Sequence, residues 1–195
     1  MTSRRTVIMA GAAAVALLIA HGLDFRAQTA LVFPAANDRD WGRMLRIAGF
    51  APTWLLVAGA LWLEDRRGRT ALAVVAAVAA AGLAGEIAKL LVRRERPDPV
   101  MLAYAFRSFA DHPFSSKAFG FPSTHVTVAF GGSAALANRF RRAAPIFVGV
   151  AAGCGLTRLF AQQHFLSDVV GGAIGGFAIG AAVARAIDPR PVAAP

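Results

Sequence analysis

The sequence has few charged residues and a single cysteine. Only 16% of its 195 residues are charged and 56% are hydrophobic, a balance that excludes an ordinary soluble domain. Cys154 is the only cysteine and lies in an apolar run, so an internal disulfide is impossible and a buried, small apolar role is expected. The length and the scarcity of charge together predict one membrane domain, residues 1–195.

The charge that is present is mostly positive. Lys and Arg number 21 against 11 Asp and Glu, which gives a formal net charge of +10. A basic protein can bind nucleic acid when its cations gather on one solvated face. Here the arginines fall between apolar runs, so the pattern favours membrane lipids as neighbours and predicts no nucleic-acid partner.

Six apolar segments predict an all-α, polytopic membrane protein with a six-transmembrane-helix bundle. Several are shorter than the roughly 20 residues of a full span, as expected of helices whose ends line a polar cavity. The last segment carries closely spaced glycines that let helix backbones approach one another: Gly171, Gly172, Gly175, Gly176 and Gly180. The six segments are residues 7–20, 51–63, 71–92, 122–137, 143–160 and 165–187.

Arginines in the short connections predict the orientation, because cytoplasmic loops are enriched in Lys and Arg. With six spans, these arginines share one side, and the longer connections 24–46 and 93–121 face outward. A rival interpretation takes Ser3 to Val7 as the start of a twin-arginine export signal. We favour an uncleaved first helix, and either choice leaves the next segment starting outside. The arginines that support the orientation are Arg4, Arg5, Arg66, Arg67, Arg69, Arg139, Arg141, Arg142, Arg185 and Arg190.

A first polar cluster ends the third apolar segment. Lys89 and Arg96 are seven residues apart, so on a helix they would share a face and could bind one anion from two directions. Pro97 ends the helix. We interpret Arg93 and Arg94 as interfacial anchors, and the nearby Glu86 as a partner for Lys89 or as a cavity-lining acid.

A second cluster opens the fourth segment. Pro122 fits a first helical turn and Ser123 can cap the helix. Unpaired N–H groups at a helix start attract phosphate, and His125 would face the same place. By itself this cluster also fits an ordinary helix start with a tolerated histidine.

A third cluster spans the loop between the fifth and sixth segments. His164 and Asp168 are four residues apart, so on a helix the carboxylate could accept the Nδ1–H of the imidazole. That bond would leave Nε2 free as a nucleophile. Arg158 precedes them by one short loop. The alternative is a helix cap beside a surface histidine, and too few good ligands are nearby for a metal site.

Together the three clusters resemble the signature of the type-2 phosphatidic acid phosphatase superfamily, which includes integral-membrane lipid phosphate phosphatases. The first part is complete as Lys89-x6-Arg96-Pro97. The second has Thr124 where Gly is usual, and its side chain can crowd the phosphate or narrow the range of substrates. The third runs from Thr157, where Ser is usual, to Asp168.

The resemblance implies how a phosphoryl group would be held. Lys89, Arg96 and Arg158 would bind its oxygens, and Ser123 and the backbone N–H of Thr124 would assist. It implies no metal and no other cofactor.

The resemblance also implies roles for the remaining motif residues. His164 would attack phosphorus and form a phosphohistidine, and Asp168 would orient the imidazole. His125 would protonate the leaving oxygen and then activate water.

We therefore expect a metal-independent membrane phosphatase that hydrolyses a lipid phosphate or diphosphate monoester. Candidate substrates are polyprenyl (undecaprenyl) diphosphate, phosphatidylglycerol phosphate, phosphatidate and a lipid A phosphate. The expected location is the plasma (inner) membrane of a prokaryote, with the site facing the periplasm or cell exterior. The alternative is a non-catalytic subunit or binding component of a membrane complex, and the intact motifs argue against it. Oligomeric state is left open.

The connection 98–121 is rich in aromatic and aliphatic residues with interspersed basic ones. This composition is typical of a segment at the lipid interface. It predicts either a lid or entry lip for a lipid chain or a surface helix packed on the bundle.

Overall fold

A computed structural model of the protein describes residues 4–64, 68–98 and 100–189. Within these ranges it contains α-helices and short 3-10 turns but no β-strand, which confirms the all-α prediction. Each predicted apolar segment coincides with one of the longer helices. The α-helices are α1 (Arg4–Gly22), α2 (Asp24–Ala30), α3 (Asp40–Arg46), α4 (Ala51–Glu64), α5 (Arg69–Val92), α6 (Thr124–Arg139), α7 (Ala144–Phe160) and α8 (Leu166–Ile187).

Parts of the orientation prediction lie outside the described residues. These are residues 65–67 of the link between α4 and α5, the side chain of Arg5, and Arg190. The remaining arginines of that prediction lie within the described ranges.

The number of membrane spans differs from the predicted six. By length and composition, α5, residues Arg141–Phe160 and α8 could each cross a membrane, and two bent helix pairs raise the total to five in the described residues. One bent pair joins α1 to α2 at 56°, and the other joins Asp40–Gly49 to α4 at 78°. The helix that is missing from this set is α6, which has only 16 residues.

The position of α6 explains why it lacks the composition of a span. It packs against α5, α7 and α8, and most of its residues are buried. A helix enclosed by other helices needs no lipid-facing apolar surface, so it can carry Ser133 and Asn138 among its buried residues. The bundle is therefore built around a short central helix.

Small residues bring α6 and α8 close together, as the glycine spacing predicted. A methyl group added at Gly176 would collide with the backbone of Thr127, and one added at Gly180 would collide with that of Gly131. Gly172 lies in the same way against Ser123. These glycines hold the start of α6 directly against the start of α8.

The chain after α5 departs from the predicted helix. The helix ends at Val92, and Arg93 takes a left-handed conformation with φ of 56° while its N–H donates to the carbonyl of Lys89. The segment then continues extended: the Arg96 N–H donates to the carbonyl of Ala118, and the Gly120 N–H donates to that of Arg94. The prediction that Arg96 shares a helical face with Lys89 is therefore wrong. The left-handed Arg93 turns the chain away from the helix axis before Arg96 is reached.

Arg93 is also not an interfacial anchor. Its side chain is buried, and its guanidinium lies over the rings of Phe109 and Phe119. The cation holds the connection 98–121 in place as irregular structure, and the described part of that connection contains no surface helix. The guanidinium donates to the backbone carbonyls of Arg107, Ser108, Asp111 and Pro113.

Candidate active site

The predicted site residues all lie at one end of the bundle, where α5 and α7 end and α6 and α8 begin. His125 in the first turn of α6 is within electrostatic reach of Lys89, Arg158 and His164. Lys89 is likewise within reach of Arg96 and Asp168. Residues separated by up to 79 positions in the sequence thus lie close enough for their charges to interact. The predicted residues found there are Lys89, Arg96, Ser123, Thr124, His125, Arg158, His164 and Asp168.

His164 lies in the loop before α8, with only 2% of its surface exposed. The prediction that His164 and Asp168 lie on one helical face is not met, because α8 begins only at Leu166, with Phe165 in the N-cap position. Its Nδ1 lies 3.1 Å from the carbonyl oxygen of Gly120 and 3.5 Å from Oδ2 of Asp168. A carbonyl can only accept, so Nδ1 carries the proton and Nε2 keeps a free lone pair.

Gly120 is a site residue that sequence reasoning missed. It contributes only a backbone carbonyl, for which no side-chain pattern exists. A methyl group in place of its hydrogen would sit 2.7 Å from Oδ2 of Asp168, so the close approach of the loop to α8 requires glycine here.

The surroundings of His164 favour the neutral imidazole. Burial lowers the pKa of His164, and the positive charges of Arg158 and Arg96 lower it further, whereas the neighbouring Asp168 raises it. The net direction is downward. A neutral imidazole with an unprotonated Nε2 is the form that can act as a nucleophile.

Asp168 is completely buried and joins three parts of the site. Its Oδ2 accepts the Phe165 N–H at 2.8 Å, and its backbone carbonyl accepts the Ser123 N–H at 3.0 Å. Its Oδ1 accepts from the guanidinium of Arg94. Asp168 therefore ties the start of α8 to the start of α6 through its backbone carbonyl and to the segment after α5 through its carboxylate.

The pairing with Arg94 corrects another prediction. Arg94 was expected to be an interfacial anchor, but it is only 5% exposed and its Nη2 donates to Asp168 and to Ser167. The physical reason is the left-handed turn at Arg93, which directs the next side chain into the bundle. A charged residue this close to apolar spans is itself a signal of function.

The predicted partnership of Glu86 and Lys89 is confirmed. Nζ of Lys89 lies 3.2 Å from Oε1 of Glu86, and Lys89 is 7% exposed. The same carboxylate also accepts from the hydroxyls of Thr124 at 2.6 Å and Ser116 at 2.5 Å. Glu86 thus connects α5 to the start of α6 and to the connection 98–121, called the outer connection below.

Three buried polar atoms at the site have no hydrogen-bond partner within the described protein: Oγ of Ser123, Nε of Arg158 and Nε of Arg94. The first two belong to motif residues. Ser123 occupies the N-cap position of α6, but its side chain makes no capping bond. Buried polar atoms are nearly always paired, so these two point to a ligand that accepts hydrogen bonds.

Two further cations lie at the exposed side of the site. Arg96 is exposed, and its Nη1 donates to Oε1 of Gln163 at 3.0 Å. Arg46, at the end of α3, acts electrostatically on both His125 and Arg158. Sequence reasoning missed Arg46 because it lies far from the motifs and only the fold brings it near.

Comparison with known proteins gives partial matches to two bacterial enzymes. Lipid A 1-phosphatase of Rhizobium etli is 35% identical over 99 residues, which cover 49% of this chain and 41% of that protein. Lipid A 1-phosphatase of Rhizobium johnstonii is 35% identical over 91 residues, which cover 47% of this chain and 37% of that protein. The chain therefore matches less than half the length of either relative. No solved structure matches it significantly.

The family comparison is broader. The model of the PAP2 superfamily matches residues 70–191, which includes every predicted site residue. The match runs from the start of α5 past the end of α8. With its apolar helices, the protein is a multi-pass membrane protein, and this chain belongs to the PAP2 superfamily.

Proposed function

We propose that the protein hydrolyses a lipid phosphate through a phosphohistidine on His164. One observation carries the proposal. An imidazole whose Nδ1 contacts the carbonyl of Gly120 lies in the same cluster as two buried atoms, on Ser123 and Arg158, that have no partner among the described residues. A nucleophile beside hydrogen-bond donors that lack an acceptor is the arrangement that phosphoryl transfer requires.

The reaction would proceed in two displacements. In the first, the Nε2 lone pair of His164 forms a bond to phosphorus, the bond to the lipid oxygen breaks, and His125 donates its proton to that oxygen. In the second, His125 takes a proton from water, the water oxygen bonds to phosphorus, and the N–P bond breaks. Inorganic phosphate is released and both histidines return to their starting states.

The cations would stabilise the charge on the equatorial oxygens. Lys89 and Arg158 are buried, so their charges act in a medium of low dielectric, whereas Arg96 covers the exposed side. Ser123 and the backbone N–H of Thr124 would supply further donors. These residues need no metal ion for charge stabilisation, and we propose a metal-independent reaction.

The substrate would be an amphiphile at the membrane surface. The connection beside the site exposes several large apolar side chains, among them Val100 at 87% and Phe114 at 92%. Exposed apolar groups next to a phosphate site fit a lip that contacts acyl chains. The names of the Rhizobium relatives favour a phosphate of lipid A among the candidate substrates.

We propose that the site faces the periplasm or cell exterior. The site lies at the end of the bundle formed by the connections 24–46 and 93–121. Arg139, Arg141 and Arg142 lie at the opposite end, between α6 and α7. Cytoplasmic placement of these arginines puts the site outside.

The test is an assay of the detergent-purified protein against lipid A, phosphatidylglycerol phosphate, phosphatidate and undecaprenyl diphosphate. Phosphate release from at least one is expected, and His164→Ala should reduce it by roughly 10⁴-fold or more. His112→Ala, in an exposed part of the outer connection, is the matched control and should retain full activity. Full activity of His164→Ala would remove the nucleophile, and no release from any lipid would favour a binding subunit.

A further inference from the structure

We propose that Arg94, an unspecified position within the first motif, and Asp24, outside the three motifs, are positioning residues that set the charge balance around His164 through Asp168. The catalytic consequence rests on the proposed function, whereas the electrostatic consequence rests on the geometry alone. The two can therefore be tested separately.

Arg94 bridges two buried carboxylates. Its Nη2 donates to Oδ1 of Asp168 and, at 2.7 Å, to Oγ of Ser167, and its Nη1 lies 3.8 Å from Oδ2 of Asp24. Asp24 and Asp168 are both 0% exposed. An arginine in this place joins the carboxylate behind His164 to a second one on a different helix.

Asp24 is held by a complete set of donors. The backbone N–H of Ser167 donates to its Oδ1 at 2.7 Å, and the Ser167 hydroxyl donates to its Oδ2 at 2.5 Å. The hydroxyl of Tyr104 donates to Oδ2 at 2.9 Å. Burial and the bond to Asp24 raise the pKa of Tyr104, so this phenol remains a protonated donor. Donors from two residues, Ser167 and Tyr104, therefore fix this carboxylate in place.

Aromatic rings close the network off from solvent. The guanidinium carbon of Arg94 lies 5.2 Å from the ring centre of Tyr104, 5.0 Å from that of Phe121 and 5.3 Å from that of Phe165. Charges enclosed in this way are weakly screened and act on their neighbours more strongly than surface charges do.

The charges of the three groups in this enclosure, Arg94, Asp24 and Asp168, do not cancel. Among the buried groups, two carboxylates face one guanidinium, an excess of one negative charge beside His164. The exposed His21 of α1 lies 3.6 Å from Oδ2 of Asp24, on the side away from His164 in the chain of contacts. When Nε2 of His164 bonds to phosphorus, the imidazole ring acquires one positive charge, and the enclosure then becomes neutral. Fixed opposite charge at the place where charge develops is the most effective form of electrostatic stabilisation.

Other charged groups also face His164. Arg158 comes from α7, Arg96 from the segment after α5, and His125 from α6. The two arginines oppose a positive ring, and bound phosphate would offset them. The Arg94–Asp24 network meets Asp168 at Oδ1, whereas His164 lies nearer to Oδ2.

The electrostatic test uses two single variants and their combination. Arg94→Gln removes a positive charge and should raise the pKa of His164 by about one unit, whereas Asp24→Asn removes a negative charge and should lower it. The double variant keeps the net charge of the enclosure, so its His164 should titrate close to the parent value. A role that is only structural would not produce opposite shifts that cancel.

The measurement is the pH titration of ¹⁵N-histidine-labelled protein in detergent by NMR, with His164 assigned from the His164→Asn variant. Shifts in the same direction, or unchanged titration in both single variants, would overturn the proposal. If a single variant does not fold, Tyr104→Phe replaces it. This change removes one hydroxyl that donates to Asp24 and leaves the negative charge of that carboxylate less compensated, so the pKa of His164 should rise, by less than in Arg94→Gln. Unchanged titration there would count against the proposal equally.

The catalytic test compares kinetics on the lipid that the parent hydrolyses best. Arg94→Gln should move the acid limb of kcat/KM to higher pH and leave KM at alkaline pH within about twofold, because the phosphate-binding cations are intact. Arg96→Gln, as the contrasting variant, should raise KM. If the parent releases no phosphate from any lipid, the proposed function fails, and the NMR titration still decides the electrostatic proposal.

Discussion

The hydroxyl of Thr124 donates a 2.6 Å hydrogen bond to Oε1 of Glu86, the oxygen that also pairs with Lys89. Thr124 stands where the motif of the superfamily usually has glycine. The extra side chain therefore does more than crowd the proposed phosphate site. It fixes a carboxylate at the edge of that site and links it to the cation at the end of α5.

The pairing predicts that Glu86 weakens anion binding. Glu86→Gln should tighten inhibition by vanadate about 3- to 10-fold, or about 1 kcal/mol, because a negative charge competing for Lys89 is removed while the side chain keeps its shape. The measurement is the vanadate inhibition constant at fixed pH and ionic strength.

Glu95→Gln is the matched control for this variant. Glu95 belongs to the same outer region, but its carboxylate pairs with Arg107 at 2.8 Å. Vanadate inhibition of this variant should equal that of the parent. Weaker inhibition of Glu86→Gln would show instead that the carboxylate holds Lys89 in its binding position.

The lowered pKa of His164 predicts where activity is lost on acidification. Nucleophilic attack needs the neutral imidazole, and burial holds the pKa of His164 below its ordinary value of 6.5. As pH falls, the decline of kcat/KM that comes from protonation of His164 should therefore begin only below pH 6.5, where the lowered pKa is reached.

The pH profile is measured on a substrate whose own phosphate ionisation has been determined separately. His112→Ala should leave the profile unchanged, since this histidine is exposed in the outer connection. An acid limb centred above pH 6.5 would contradict a buried, neutral nucleophile.

A metal-independent reaction predicts resistance to chelators. Dialysis against EDTA should leave phosphate release within about twofold of the untreated protein, because cationic side chains supply the charge stabilisation. Vanadate should inhibit, since it adopts the pentacoordinate geometry of phosphorus during transfer. Loss of activity in EDTA that added Mg²⁺ or Zn²⁺ restores would show that a metal ion takes part.

The burial of Arg93 predicts a structural role for this residue. Arg93→Ala removes a buried cation from four backbone carbonyls and two aromatic rings, and we expect a loss of about 3 kcal/mol in stability. The expected readout is a lower Tm in detergent and faster proteolysis of the connection 98–121.

Arg43→Ala is the surface control for that variant. Arg43 is exposed and lies 3.9 Å from Asp40, so its loss should change stability by less than about 0.5 kcal/mol. Equal effects of the two variants would mean that the connection is held by something other than Arg93.

The sequence determined the helices and the motifs. Apolar length is a local property, so the six helical segments followed from composition, and glycine spacing predicted that Gly176 and Gly180 would contact α6. The residues of the three motifs were found because each side chain carries its own chemistry. The pairing of Glu86 with Lys89 followed from helical spacing of three residues.

The tertiary structure alone decided which charges are buried and what they face. A left-handed residue at Arg93 ended the helix early, and this backbone choice placed Arg94 inside the bundle and left Arg96 exposed. Neighbouring arginines look alike in a sequence. Their roles differ because desolvation and charge pairing depend on contacts between distant segments, such as that of Arg94 with Asp168, which no local pattern encodes.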